Sequence, residues 1–480
     1  MEYIIKDREP KRLFEIFEEI SAIPRGSGNE KQIADYICTF ADRLGLFCVR
    51  DKVNNVFIRK SAGKGYEDRP SVLLQGHTDM VCEKNAGTIH DFTKDPLKLR
   101  VKDGFLSADG TTLGADDGVA VAMMLALLES DEAMPELECL FTVGEETGLE
   151  GAESFDYSII RSKKMINMDS EGEGIAVVSS AGGADVCYTV KTDKVSCPNR
   201  PIKITVTGLM GGHSGTDIGS CRMNANRVMG RILSELYEKK PFNLTSIKGG
   251  NMKNAIAREC IAELSVLDTK LVGDEIKRIE KELITEACSE DKGLSIYLGK
   301  GAVSDKMLTY KDTSRVISLL TLPPNGVYAM SGDFKGLVRT SCSCGVVETD
   351  GGEIRIWVKT RSSCGSEHNA LLSVLTRTGD LMGVDSEVSG MYESWDYCED
   401  SALASQFIST FKKLFPDSKT EPKTAAIHAG LECGIIISRL GGCDTIAIGP
   451  DVFDIHSPDE RLELDSFERF WKLVLTLIKE

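Results

Sequence analysis

Only six histidines occur in the 480 residues, at positions 77, 90, 213, 368, 428 and 456, so where they stand is informative. His77 lies in Leu73-Leu74-Gln75-Gly76-His77-Thr78-Asp79, just past an apolar run of strand length. His456 follows the apolar run 445–448 and the loop Gly449-Pro450-Asp451. Carboxylates occupy comparable places. Glu145-Glu146 follow Phe141-Thr142-Val143-Gly144, Asp169 follows Met165-Ile166-Asn167-Met168, and Asp116-Asp117 stand directly before the apolar stretch 118–129. Imidazole nitrogens with carboxylate oxygens suit divalent cations of borderline softness, and one carboxylate can be shared between two of them. Two such cations about 3.5–4 Å apart bind a bridging water, lower its pKa and hold the carbonyl it attacks. The reaction also needs a carboxylate that is not a ligand, to take a proton from water and deliver it to the leaving amine. Adjacent glutamates offer one side chain for each task. Asp79, two residues beyond His77, is placed to accept from the imidazole and orient it.

Each of these residues has a plain explanation when taken alone. A histidine at a strand end is usually a satisfied loop residue, and paired acids such as Glu145-Glu146 usually face solvent. Asp116-Asp117 before a helix reads as an N-cap that complements the helix dipole. Acids or histidines at the ends of five successive segments are harder to explain as accident.

The elements that must position them are legible from hydrophobic periodicity. Residues 11–23 and 30–44 carry apolar side chains at helical spacing, and 53–59, 71–75, 137–143 and 164–168 read as strands. The stretch 118–129 reads as a helix packed beneath a sheet. This alternation predicts a mostly parallel sheet flanked by helices, with sites beyond the carboxyl ends of its strands. From Gly182 to Trp395 the style changes. Strand-like stretches at 202–206, 262–267 and 354–359 mix with helices at 224–237 and 274–287. Helices at 402–414, 430–440 and 465–478 and a strand at 445–448 then restore the first style. The economical reading is an α/β domain of residues 1–181 and 396–480, interrupted by an inserted α+β domain of 182–395.

Composition narrows the function classes. Hydrophobic residues make up 41% and charged residues 27%, the balance of a globular chain. The net charge of −17 opposes nucleic-acid binding, which requires cationic groups to displace counterions. No apolar run approaches the roughly 18 residues of a membrane span. Residues 1–10 mix acid and base without an apolar core, so no secretory signal is expected. The 15 cysteines form no C-x-x-C pair, and Cys342-Ser343-Cys344 is the one tight cluster, which fits reduced thiols in the cytoplasm. Gly299-Lys300-Gly301 lacks the spacing and the Ser/Thr of a phosphate-binding loop. G-x-S-x-G and H-E-x-x-H are absent, which excludes those serine-hydrolase and single-zinc designs.

His77-Thr78-Asp79, Gly114-Ala115-Asp116-Asp117-Gly118, Glu145-Glu146, Asp169 and His456 resemble the metal-site motifs of the co-catalytic zinc dipeptidases and their carboxypeptidase and aminoacylase relatives. Residues 20–28, Gln75–Val81, Asn254-Ala255-Ile256-Ala257-Arg258-Glu259 and His428-Ala429-Gly430-Leu431-Glu432 bring the likeness nearest to the aminoacyl-histidine dipeptidases of that family, over nearly the whole chain. The resemblance implies a three-layer α/β/α catalytic domain with an inserted lid that also forms a homodimer. It implies that His77 and Asp169 hold one cation, that Glu146 and His456 hold the other, and that Asp116 bridges them. Zinc is the expected metal, with cobalt or manganese able to suit the same ligands. Glu145 would be the general base and Asp79 the orienting acid. His213, in Gly211-Gly212-His213-Ser214-Gly215, looks like the lid histidine that polarises the scissile carbonyl. Asn254, Arg258 and Arg361 match positions near the substrate, a guanidinium suiting a terminal carboxylate, although each could equally be a structural polar residue. His428 forms an i, i+4 pair with Glu432 at a helix start, for which the resemblance implies a pocket role and a helix-surface contact is the plain alternative. His90 and His368 match no motif. The implied activity is metal-dependent hydrolysis of dipeptides by a metal-bridged hydroxide. The alternatives are an N-acyl-amino-acid deacylase or carboxypeptidase on the same scaffold, or an inactive metal-binding homologue.

Overall fold

The computed structural model describes residues 3–480. They form two compact units. One comprises residues up to Ser179 with Tyr397–Ala426 and Leu431–Glu480, and the other Ser180–Asp396 with Ile427–Gly430.

The first unit is built on an eight-stranded sheet in the order Phe47–Arg50, Val56–Lys60, Leu137–Thr142, Val72–His77, Lys164–Asn167, Asp444–Ala447, Ile175–Ser180, Lys423–Ile427. Its four central strands, from Leu137–Thr142 to Asp444–Ala447, run parallel, and the neighbouring strands join them antiparallel. Central parallel strands are covered on both faces and therefore read as continuous apolar runs. Val72–His77 and Leu137–Thr142 are accordingly buried at every position. The parallel expectation holds for this centre. The edge departs from it because the short link between Phe47–Arg50 and Val56–Lys60 permits only a hairpin. Register decides where the site forms. His77 faces Thr142, and Asn167 faces both Gln75 and Ala447, so the four strands finish at one edge.

Helix Ala115–Glu129 is buried continuously from Gly118 to Leu128, as its apolar surface on all sides requires. It packs on strand Val72–His77 and against helices Lys11–Ser21 and Leu464–Lys479. Its first turn approaches the strand so closely that a Cβ at Gly76 would lie 2.3 Å from Ala120 Cβ and 2.4 Å from Asp117 Oδ2. A second, four-stranded sheet escaped the periodicity reading because its strands are too short. Val452–Phe453 and Arg461–Glu463 form a hairpin that continues into Phe105–Ala108 and Leu99–Lys102. The tip of that hairpin carries His456.

The second unit holds a nine-stranded sheet whose recorded pairings are all antiparallel. One face is buried, so inward and outward residues alternate, as along Ile202–Thr207. Helices Ala225–Lys239, Thr269–Glu286, Tyr310–Thr321 and Gly365–Met382 supply the remainder of its core. The longest hairpin, Val338–Asp350 with Glu353–Ser362, turns through Gly351-Gly352. Both glycines have positive φ (56° and 105°), a conformation that a two-residue hairpin turn favours and a side chain resists. Among the described residues no helix is long and apolar enough to cross a membrane.

Gly76→Ala is expected to force the first turn of helix Ala115–Glu129 away from its strand. Overpacking of this kind costs about 1–3 kcal/mol, to be read as a lower urea midpoint at unchanged slope.

Candidate active site

The sheet edge assembles six of the expected residues. His77 ends its strand, Glu145-Glu146 open the short helix Glu145–Gly148 three residues past Thr142, and Asp169 follows Asn167 by two. Their donor atoms fall into three groups, each within 4.8 Å: His77 with Asp116 and Asp169, Asp116 with Glu146 and His456, and His77 with Glu145 and Glu146. The first two groups share Asp116 and leave Glu145 over. One Asp116 oxygen lies 2.9 Å from His77 Nε2, and the other lies 3.0 Å from His456 Nε2. His456 Nε2 is also 3.1 Å from Glu146 Oε1, and His77 Nε2 is 3.8 Å from Asp169 Oδ1. His456 takes this place with a left-handed backbone (φ 60°), a strained conformation for its type that recurs at functional sites.

Two further aspartates hold the donors in place. Asp79 is wholly buried; its backbone carbonyl lies 3.1 Å from His77 Nδ1 as the hydrogen-bond partner, with carboxylate Oδ1 at 3.4 Å. The carboxylate accepts from Ser27 Oγ (2.8 Å) and from the backbone N–H groups of Glu145 (3.2 Å) and Glu146 (3.3 Å). One residue thus orients both the imidazole and the glutamate pair, the second task being invisible in the sequence. Burial works against the charge of Asp79, but the His77 and Ser27 hydrogen bonds outweigh it and keep its pKa below the usual range. Asp117 caps the helix, accepting from Ala120 N–H (3.2 Å) and from His77 N–H (3.3 Å). The capping and ligating readings of Asp116-Asp117 are therefore divided between the two neighbours.

The cluster favours bound positive charge. Burial holds the carboxyl groups of Asp169 and Glu145 well above the usual range, and surrounding carboxylates raise them further. Hydrogen bonding to Asp116 and then Glu146 pushes His456 up to about 11. Glu146 Oε1 is buried, with His456 Nε2 as its near polar neighbour at 3.1 Å. One imidazole with carboxylates in each group, one carboxylate being common to both, is a donor set that two divalent cations fit.

The profile of peptidase family M20/M25/M40 matches residues 73–480. The chain is 36% identical to the cytosol non-specific dipeptidase of Escherichia coli (strain K12), over 98% of each chain. It belongs to peptidase family M20/M25/M40. An aminoacylhistidine dipeptidase from Vibrio alginolyticus superposes on this M20 peptidase with a TM-score of 0.88 at 33% identity, covering 98% of this chain and 96% of that one. An aminopeptidase from Bacillus cereus shares the fold, with a TM-score of 0.57 at 16% identity and 98% coverage of both chains. The chain is thus a peptide hydrolase with an α/β unit and an antiparallel-sheet unit.

The remaining expected residues of the M20 peptidase lie in the second unit. His213 sits on the short strand Gly212–His213, paired with Ala255–Ile256. Arg361 is buried; its Nη2 donates to His213 Nε2 (3.2 Å) and its Nη1 to the Tyr392 hydroxyl (3.1 Å). His428 is buried beside Ser341 Oγ, 2.7 Å from its Nε2. Arg361 Nε and His428 Nδ1 have no hydrogen-bond partner, so the cluster retains unused polar capacity. Asn254 and Arg258 are exposed on the neighbouring segment, and Arg258 Nε reaches the Leu209 carbonyl (3.4 Å). His368 is a buried partner of Thr360 (2.8 Å), and His90 stacks edge-on against Phe92.

The i, i+4 pairing of His428 with Glu432 is not formed. The helix begins only at Glu432, and Glu432 belongs to the first unit. There its buried Oε2 accepts from Gln75 Nε2 and Thr142 Oγ1, both at 2.6 Å. Gln75 Oε1 in turn accepts from Asn167 Nδ2 (2.6 Å), and Asn167 Oδ1 from Asp169 N–H (3.2 Å). This chain of hydrogen bonds links three strand ends beneath the donors. Its signal in the sequence was the occurrence of Gln75, Thr142 and Asn167 within otherwise apolar strands.

His428 is pushed down to about 4 by burial, then by the charge of Arg361, and burial likewise takes His368 to about 4. Both lie below the roughly 6.5 of an unfolded histidine. At these two sites the unfolded state therefore binds protons first, so their contribution to stability falls as pH drops from about 6.5 to about 4. The difference in urea midpoint between the wild type and His428→Gln should show this slope across that range.

Proposed function

We propose that the chain is a cytoplasmic, two-cation dipeptidase acting as a homodimer, its second unit serving as lid and dimerisation surface. The observation that carries this reading is the pair of donor groups sharing Asp116 with Glu145 left over. His77 and Asp169 would hold one divalent cation, zinc in the first instance, and Glu146 and His456 the other, with Asp116 common to both. Bound there, the cations would acidify a water and polarise the scissile carbonyl. Glu145 would take the proton of the attacking water and return it to the departing amine. Asp79 holds His77 in one orientation. Arg361 captures the terminal carboxylate, a task for which its planar fork is suited, with Asn254, Arg258 and His428 as further substrate contacts. Burial and then the charge of Arg361 depress the pKa of His213, favouring a neutral imidazole whose Nε2 accepts from Arg361. The dipeptide substrate and the cytosolic setting are supported by the names of the Escherichia coli and Vibrio alginolyticus relatives.

The test is a substrate panel of β-Ala-His, Ala-His, Gly-Gly and Leu-Leu beside N-acetyl amino acids, on chelated protein and on protein reloaded with zinc or manganese. Metal-dependent cleavage of the dipeptides is expected. Cleavage of the N-acetyl amino acids alone would move the enzyme to the deacylases. Glu145→Gln is expected to bind both cations and to lose at least about 100-fold in kcat. Full turnover by that variant would overturn the assignment of the base.

A further inference from the structure

Two buried charges that the proposed chemistry does not use grip the loops carrying the donors. Arg25 and Glu460 are each 1% exposed. The Glu460 carboxylate accepts from four consecutive backbone N–H groups: Leu113 (2.8 Å) and Gly114 (2.9 Å) on Oε2, Ala115 (2.8 Å) and Asp116 (3.3 Å) on Oε1. Arg25 takes the carbonyl side. Its Nη1 donates to Thr78 O (3.1 Å) and Asp79 O (3.2 Å), and its Nη2 donates to Gly114 O. The loop fits the guanidinium closely, since a Cβ at Gly114 or Gly118 would lie 2.6 or 2.7 Å from Nη2.

The targets of these bonds are selective. Glu460 stands four residues after His456 in the same hairpin and ends on the amide of Asp116. Arg25 joins the segment following His77 to the loop preceding Asp116. Between them, the two charges connect both histidines to the carboxylate they share. Burying these charges is costly, and all of their bonds end on the loops that carry the donors, which points to control of the donors' geometry. Glu460 is also the strongest favourable electrostatic neighbour of Arg25.

We propose that Arg25 and Glu460 are positioning residues that set the spacing of His77, Asp116 and His456, and thereby the affinity for the second cation. This rests on the two-cation reading above. Glu460→Gln keeps the shape but turns an N–H donor toward backbone N–H groups. Gly118→Ala presses a methyl group on Arg25 while favouring the helix and leaving every donor intact. Zinc competition against a chromophoric chelator should show two tight sites in the wild type. In both variants the weaker site should lose about 10–100-fold in affinity, the cobalt absorption spectrum should change, and kcat should fall more than KM rises. Should Glu460→Gln fail to fold, Gly118→Ala decides alone. Wild-type affinity and an unchanged cobalt spectrum in the folded variants would overturn the proposal while leaving the two-cation reading intact, whatever the change in Tm. A wild-type protein binding fewer than two cations would overturn both.

Discussion

Asp116 receives one imidazole on each carboxylate oxygen, at 2.9 and 3.0 Å, and the rest of the first unit is arranged so that this can happen. His77 and His456 are 379 positions apart, so the convergence is wholly tertiary. It gathers acids that repel one another in a poorly hydrated place, where burial alone raises carboxyl pKa values. Cations are the natural counterpart to such a cluster, and its neighbours hold the donors ready for them.

The support is mostly backbone chemistry. Parallel strands in register bring His77, Glu145-Glu146 and Asp169 to one edge, and the absence of a side chain at Gly76 lets helix Ala115–Glu129 start against that edge. Asp79, Asp117, Glu432 and Glu460 then spend their carboxylates on amides and hydroxyls instead of on coordination. Carboxylates are thus used in two ways within one small region. Those of Asp116, Glu146 and Asp169 gather around the two imidazoles, and the others fix the loops.

The second unit follows another logic. Its antiparallel sheet buries one face, and its candidate substrate residues are brought together by pairing between distant strands. Arg361, His213 and His428 form a cationic and imidazole cluster in which burial and the fixed charge of Arg361 disfavour protonation of the histidines. Unused polar atoms there suit recognition of an anionic group, whereas the first unit's cluster suits cations. The two units therefore carry complementary electrostatic characters.

Much of this was legible in the sequence, because hydrophobic periodicity is a local property. It located helix Ala402–Leu414 at both ends and the other elements it read within about five residues, though it passed over most of the short strands, and it put His77, Glu145-Glu146, Asp169 and His456 beyond strand ends. The types of these residues pointed to a metal-dependent hydrolase, and their motifs named its family. Other features had no local signature. Which of Asp116 and Asp117 caps the helix depended on how the loop meets strand Val72–His77. The hairpin that presents His456 is made of strands too short to show a period. Glu432 and His428 look like helix neighbours in sequence, yet they serve different units because the helix starts later than periodicity suggests. The contacts of Arg25 and Glu460 have no local mark, because folding buries these charges against backbone amides and carbonyls, which every residue carries and no sequence pattern records. Side-chain type and spacing determined which chemistry this chain can do, while the pairing of distant segments decided which of several identical side chains does it.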